Sequence, residues 1–290
     1  MTVMDQLHVE KLHPLFVAEV TGIDVTQPQS ARTLKKLWAA FNEHQILVFR
    51  DQRVDDDSQL EFTRNFGALE MTDKHAANNF TASPISRLTN IEPNGQLMPV
   101  DDIRVQQRMR TEKWHTDSSF KRIPALASLL SGRVIPPEGG NTEFASQRAA
   151  YAALPEARRE QVETLVAIHD VATVREHVKE GMFDKDQKKR LPPVEQPVVR
   201  VNPVNGLKNL FVGAHAKMIV GMDEEKGKAL LDELTDFCTQ PQFVYSHKWR
   251  PFDLVMWDNR CTLHRATTFD KSKYGRTVHR STVAGNAAVL

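Results

Sequence analysis

Trp114-His115-Thr116-Asp117, set against Trp257-Asp258-Asn259-Arg260-Cys261-Thr262-Leu263-His264, decides how this chain is read. Two imidazoles and one carboxylate can hold one face of an octahedral iron(II) and leave the opposite face open for reactants. In an extended strand His115 and Asp117, two residues apart, leave the same face. His264 comes from a distant segment, so the fold must bring it back, as a sheet-rich fold does when its last strands return beside earlier ones. His-x-Asp carries little by itself, because a single histidine is more often a surface or hydrogen-bonded core residue. Its surroundings carry more. Ser118-Ser119-Phe120 follows, and Ala127 to Ile135 then reads as a strand.

The pattern continues outward from there. Pro136-Pro137-Glu138-Gly139-Gly140-Asn141 reads as a tight turn that delivers Thr142 and Phe144 into another strand. Near the C-terminus, Arg276-Thr277-Val278-His279-Arg280 favours a strand, with Arg276, Val278 and Arg280 on one face. Two guanidiniums on a buried face are costly unless each meets an anion. The anions could be Asp or Glu side chains, or the carboxylates of small ligands.

Composition narrows the class. The 290 residues carry a net charge of +1 with 26% charged residues, which argues against nucleic acid as a partner. The opening MTVMDQLHVEKLHPLF is charged throughout and lacks the apolar run of a signal peptide. No segment reaches the ~20 apolar residues of a membrane span. Cys238 and Cys261 have neither zinc-type nor redox spacing, and Cys261 reads as a small buried residue. The expectation is a cytoplasmic protein with neither nucleic acid nor membrane as partner.

Helical spacing of Leu34, Leu37, Trp38 and Phe41 after Ser30 predicts a capped helix ending near His44. Ile46 to Phe49 reads as a buried strand. Further helices are expected over about 56–66, ended by Gly67, from Pro155 through Glu163, and from Asp223 to Cys238. Short strands are expected near 128–135, 197–202, 209–213, 243–248, 253–257 and 277–283. Together these predict a mainly β fold with flanking helices, built on a double-sheet jelly roll. The polar stretch His177 to Gln196 is either a solvated excursion or a mobile cover over the site.

WHTD, GGNT, WDNRCTLH and the closing Arg-x-x-x-Arg resemble the taurine dioxygenase family of iron(II)- and 2-oxoglutarate-dependent oxygenases. The likeness runs over roughly residues 12 to 285 and is stronger to the dichlorophenoxyacetate branch. HPLF from 13, LVFRDQ from 47, FTRNFGALE from 62, GAHA from 213 and DLVMWDNRC from 253 carry that closer likeness. The resemblance implies one dioxygenase domain over 1–290 with a double-stranded β-helix core. It implies His115, Asp117 and His264 as iron ligands, with 2-oxoglutarate and O2 as co-substrates. The distal carboxylate of 2-oxoglutarate is then expected on Arg276 and Thr142, and the anion of a small organic substrate on Arg280. Lys74 or His75 could add a second substrate contact, though a solvated loop explains them equally well.

The implied reaction hydroxylates an aryloxyalkanoate such as a phenoxyacetate. The hemiacetal formed falls apart to a phenol and glyoxylate, with succinate and CO2 as co-products. Taurine or another alkylsulfonate is the alternative substrate. A zinc hydrolase using the same three ligands, or a non-enzymatic metal-binding protein, is the alternative of a different class. A homo-oligomer is expected by analogy alone. Asn90 either approaches the site or shapes a turn. Trp114 and Trp257 read as packing, and His169, His247 and His279 as structural.

Overall fold

Ile46-Leu47-Val48-Phe49 and Leu254-Val255-Met256-Trp257 are apolar at every position, which a strand tolerates only when both of its faces are covered. The computed structural model, which describes residues 7–71, 83–175 and 189–286, shows what covers them. Strands β1 (His8–His13), β2 (Val17–Thr21), β3 (Ile46–Phe49), β4 (Ile85–Thr89) and β5 (Ala127–Val134) precede the Gly139-Gly140 turn. After it come β6 (Thr142–Ser146), β7 (Val166–His169), β8 (Val194–Pro197), β9 (Val199–Val201), β10 (Lys208–Leu210) and β11 (Ala216–Ile219). The chain then runs through β12 (Val244–His247), β13 (Leu254–Asp258), β14 (Thr262–Ala266) and β15 (Thr277–Val283).

Seven of these form one sheet in the order β1-β2-β3-β13-β5-β15-β4, with only the β2–β3 pair parallel. Three more form a facing sheet, β12-β6-β14. Side chains alternate across the large sheet. Ile46, Val48, Val255, Trp257, Leu130 and Val278 point inward and pack with Phe144 of the small sheet. Leu47, Phe49, Leu254, Met256 and Leu129 point outward under two helices, α1 (Ala31–His44) and α2 (Asp56–Arg64). The small sheet repeats the device: Phe144 faces inward, whereas Ala145 and Leu263 face outward. There they meet a third cluster that includes Leu230, Leu231 and Leu234 of the helix Glu224–Cys238. This is the expected double-sheet jelly roll with helices packed outside it.

Helix ends follow local chemistry. The Ser30 hydroxyl accepts from Thr33 N at 3.0 Å, as an N-cap does. Asp55 and Ser58 exchange a capping box at the start of α2. That helix stops at Arg64, short of the expected 66, because Asn65 N and Phe66 N turn to the tighter i−3 carbonyls of Phe62 and Thr63. The strands that periodicity missed include β1 (HVEKLH), exposed along nearly its whole length, and β2 (VAEVT), buried on both faces around the half-buried Glu19, so neither shows the alternation that marks a strand. The stretch expected to be solvated between His177 and Gln196 ends otherwise. Val194–Pro197 pairs with β7, and the buried Gln196 amide donates to Lys121 O at 2.8 Å. The core of that proposed cover, residues 176–188, lies outside the described residues. No described helix is long and apolar enough to cross a membrane.

Leu47 is fully buried between the large sheet and its helices. Leu47→Ala should therefore lower unfolding free energy by about 2–5 kcal/mol, read from the urea midpoint at unchanged m-value; a midpoint like that of wild type would contradict this packing.

Candidate active site

His115 and Asp117 do converge, but not by sharing a strand. His115 forms a single antiparallel bridge with His264, its N–H donating to His264 O at 3.0 Å and its carbonyl accepting from His264 N at 2.8 Å. Thr116 extends the attachment by donating its hydroxyl to Thr262 O at 2.9 Å. At Asp117 the chain turns, and Ser118 takes a left-handed φ of 57°. Ser118 is held there by its hydroxyl, which donates to Glu70 Oε1 at 2.6 Å. The carboxylate thus swings under the two imidazoles by a turn. The two rings lie 4.2 Å apart, and one ligand atom from each of His115, Asp117 and His264 falls within 4.8 Å of the others.

Two motifs buttress this bridge from behind. Gly213 of GAHA passes directly against it with φ 118°; a Cβ there would sit 2.7 Å from Leu263 Cδ2 and 3.1 Å from Trp114 O. Ala214 N donates to Trp114 O at 2.9 Å. His215 shares a hydrogen bond of 3.0 Å through Nδ1 with the Ser119 hydroxyl and packs edge-on to His115 and Phe120. The role missing for GAHA at the sequence level is therefore support. In the WDNRC turn, the Asp258 carboxylate accepts from Arg260 N and from its guanidinium. The turn that leads into His264 is thus locked by its own side chains.

The protonation states suit a metal. His115 Nδ1 lies 2.7 Å from Lys113 O, so it carries the proton and leaves Nε2 with its lone pair. Burial lowers the pKa of both His115 and His264, the latter well below the usual imidazole value, so both rings are neutral at pH 7. Burial alone would raise the Asp117 pKa. The Arg280 guanidinium, helped by the Ser128 hydrogen bond, more than offsets this and holds the carboxyl below the ordinary range. A relay orients that carboxylate: Trp257 Nε1 donates to Asn259 Oδ1, Asn259 Nδ2 to Ser128 Oγ, and Ser128 Oγ to Asp117 Oδ2 at 2.7 Å. Two neutral imidazoles and one oriented carboxylate are a donor set that could hold iron(II). Ser128 was invisible in the sequence, where it is one serine in an apolar strand.

His115 and His264 of the triad line a cavity between the two sheets. Thr142, Arg276 and Arg280 all line it, as does Asn90. Arg276 sits just ahead of β15 rather than within it, yet Arg276, Val278 and Arg280 keep the common face expected of them. Asn90 holds Arg276 in place: its Oδ1 accepts from Arg276 N at 2.7 Å and its Nδ2 donates to Tyr274 O at 2.9 Å. Arg276 Nε donates to Gly140 O at 3.1 Å, and Gly140 must be glycine for this approach. Its φ is 65°, and a Cβ would meet Pro136 Cγ at 2.9 Å and Arg276 Cδ at 3.2 Å. Among the described residues no carboxylate pairs with Arg276, and burial pushes its guanidinium down to about 10. The Thr142 hydroxyl accepts from Trp249 Nε1 at 3.0 Å, which leaves its own proton free to donate. A cation and an aimed hydroxyl on one cavity wall are a socket for a carboxylate.

Arg280 is differently placed: its Nη1 donates to Asp117 Oδ1. Lys74 and His75 lie outside the described residues. The indole of Trp114 packs under the Arg265 guanidinium at 4.6 Å, while Trp257 also supplies the relay donor named above.

A family model described as taurine catabolism dioxygenase TauD, TfdA family matches residues 8–282. The chain is 38% identical over 281 residues to an alpha-ketoglutarate-dependent 2,4-dichlorophenoxyacetate dioxygenase of Cupriavidus pinatubonensis, covering 96% of this chain and 98% of that one. It is 34% identical to an (S)-phenoxypropionate/alpha-ketoglutarate-dioxygenase of Sphingobium herbicidovorans, covering 97% and 96%. Among solved structures, AAD-2 in complex with Mn(II) and N-oxalylglycine superposes with a TM-score of 0.89 at 36% identity, covering 98% of each chain.

Ser128→Ala removes the hydrogen bond that orients the Asp117 carboxylate. It should weaken Mn(II) binding roughly tenfold in an anaerobic titration followed by electron paramagnetic resonance, with folding retained. An unchanged affinity would show that the relay does not tune the site.

Proposed function

The chain belongs to the taurine catabolism dioxygenase (TauD, TfdA) family and is an iron(II)- and 2-oxoglutarate-dependent dioxygenase, and on that premise we propose that it oxidises an aryloxyalkanoate. In this reading His115, Asp117 and His264 hold the iron. Arg276 and Thr142 receive the distal carboxylate of 2-oxoglutarate. The observation that carries the assignment is the buried Arg276 guanidinium, which lines the cavity beside the triad and has no carboxylate partner among the described residues. A hydrolase has no need of such a socket, and neither has a passive metal holder.

Bound iron supplies the activation of O2 that accompanies oxidative decarboxylation of 2-oxoglutarate to succinate and CO2. The chain supplies placement and exclusion of water. The Asn90 and Gly140 contacts aim the Arg276 fork, and Trp249 directs the Thr142 proton toward the same carboxylate. Leu88, Val105, Leu130, Phe269 and Val278 give the cavity apolar walls. Such walls favour an aryl group over the short polar chain of taurine. Hydroxylation of the carbon beside the ether oxygen yields a hemiacetal, and its collapse releases a phenol and glyoxylate.

An anaerobic titration with iron(II) and 2-oxoglutarate should develop a visible metal-to-ligand charge-transfer band in the wild type and none in His264→Ala; a band that survives the substitution removes His264 from the ligand set. Arg276→Lys should raise the KM for 2-oxoglutarate roughly tenfold or more, since an ammonium cannot make the two-pronged contact. An unchanged KM would take Arg276 out of the socket. Phenoxyacetate should be converted with one phenol released per succinate, whereas preferred turnover of taurine would move the substrate to the alkylsulfonates.

A further inference from the structure

None of Phe66-Gly67-Ala68-Leu69-Glu70 lines the cavity, yet this motif reaches the turn that carries Asp117. It lies along the end of β15. Ala284 N donates to Ala68 O at 2.8 Å, Leu69 bridges Val283, and Glu70 N donates to Thr282 O at 2.8 Å. Gly67 permits the approach: its φ is 142°, and a Cβ there would sit 2.9 Å from Val283 Cγ1. The Glu70 side chain is thus delivered from a fixed backbone, and its Oε1 meets two groups of one turn. The Ser118 hydroxyl donates to it at 2.6 Å, and the Lys121 ammonium lies 2.9 Å away. Lys121 N also donates to Ser118 O at 2.9 Å, so a single carboxylate oxygen braces both ends of that turn.

What the brace holds is a backbone conformation. Ser118 has a φ of 57°, which its Cβ disfavours and which glycine, asparagine and aspartate adopt far more readily. Released from its acceptor, a serine here would relax toward negative φ and carry the preceding Asp117 with it. The rest of the segment has attachments of its own. Thr116 donates to Thr262 O, the Ser119 hydroxyl meets His215 Nδ1 at 3.0 Å, and the Gln196 amide donates to Lys121 O at 2.8 Å. Those contacts keep the segment on the sheet, and Ser128 orients the carboxylate itself. The backbone direction from which that carboxylate leaves falls to Glu70.

We propose that Glu70 is a positioning residue for the metal site: by holding Ser118 in the left-handed conformation, it sets the direction from which Asp117 reaches the metal. This rests on the reading of His115, Asp117 and His264 as the metal ligands.

The test is anaerobic titration of the full chain with Mn(II), followed by electron paramagnetic resonance, with a urea midpoint for each variant. The variants are Glu70→Ala, Ser118→Ala, Ser118→Gly and the double substitution Glu70→Ala with Ser118→Gly. Glu70→Ala and Ser118→Ala should each weaken Mn(II) about tenfold. Ser118→Gly should stay within about threefold of wild type, because glycine needs no anchor to keep a positive φ. Adding Glu70→Ala to Ser118→Gly should then change the affinity less than about twofold. A folded Glu70→Ala that binds Mn(II) like wild type, whatever its urea midpoint, makes Glu70 a structural residue only and overturns the proposal. An equal loss from Glu70→Ala in the wild-type and Ser118→Gly backgrounds also overturns it, since the carboxylate would then act by some other route than the turn. Should Glu70→Ala not fold, Ser118→Ala against Ser118→Gly decides: both remove the hydroxyl, and equal affinities overturn the proposal. Wild type that binds no Mn(II) is a separate result, which removes the three-residue metal site and the role of Glu70 with it.

Discussion

The reciprocal backbone hydrogen bonds between His115 and His264 are the contact on which the rest of the site depends. They splice a short segment onto the edge of the small sheet, so both imidazoles start from one ladder and project into one interior. Everything around the splice serves it. Gly213 lets the GAHA segment pack without a side chain in the way, and Thr116 ties the segment to β14 a second time. Ser118, in its left-handed conformation, turns the chain so that Asp117 faces back toward the rings. A two-residue slip in this register would move His115 opposite Thr262 or Ala266 and separate the ligands.

The second organising constraint is electrostatic. A jelly-roll interior built from Phe144, Trp257, Leu130 and Val278 is a poor place for charge, yet three guanidiniums line the cavity there and the Asp117 carboxylate borders it. The carboxylate is tolerated because Arg280, Ser128 and two imidazoles surround it. Arg276 and Arg108 are tolerated only at a cost, expressed in their depressed pKa values. Asn90 does for Arg276, and Trp249 for the Thr142 hydroxyl, what Ser128 does for the carboxylate: neither carries charge, and each sets the direction of a group that lines the cavity.

Much of this was legible before any coordinates. The apolar runs at 46–49 and 254–257 announced strands covered on both faces, and Ser30 announced its helix. Thr142, Arg276 and Arg280, singled out through the family resemblance, do line the cavity. What escaped notice had no pattern to show. Ser128 and Asn259 matter through a hydrogen bond across 131 positions of chain. Trp249 matters through one across 107 positions. The strands β1 and β2 were missed because one is exposed on both faces and the other buried on both, so neither shows the apolar alternation that marks a strand.

By itself, then, the sequence determined the chemical inventory and the architecture. The two histidines, the aspartate, the turn glycines and the double-faced strands are local signals, set by residue type and spacing. Only the tertiary structure decided how charge is shared among those residues. That Arg280 turns to Asp117, that Arg276 meets no carboxylate among the described residues, and that Arg108 joins the same cavity are outcomes of which surfaces the two sheets bring together. Pairing between charges depends on distance and burial, and neither is written in the order of residues along a chain.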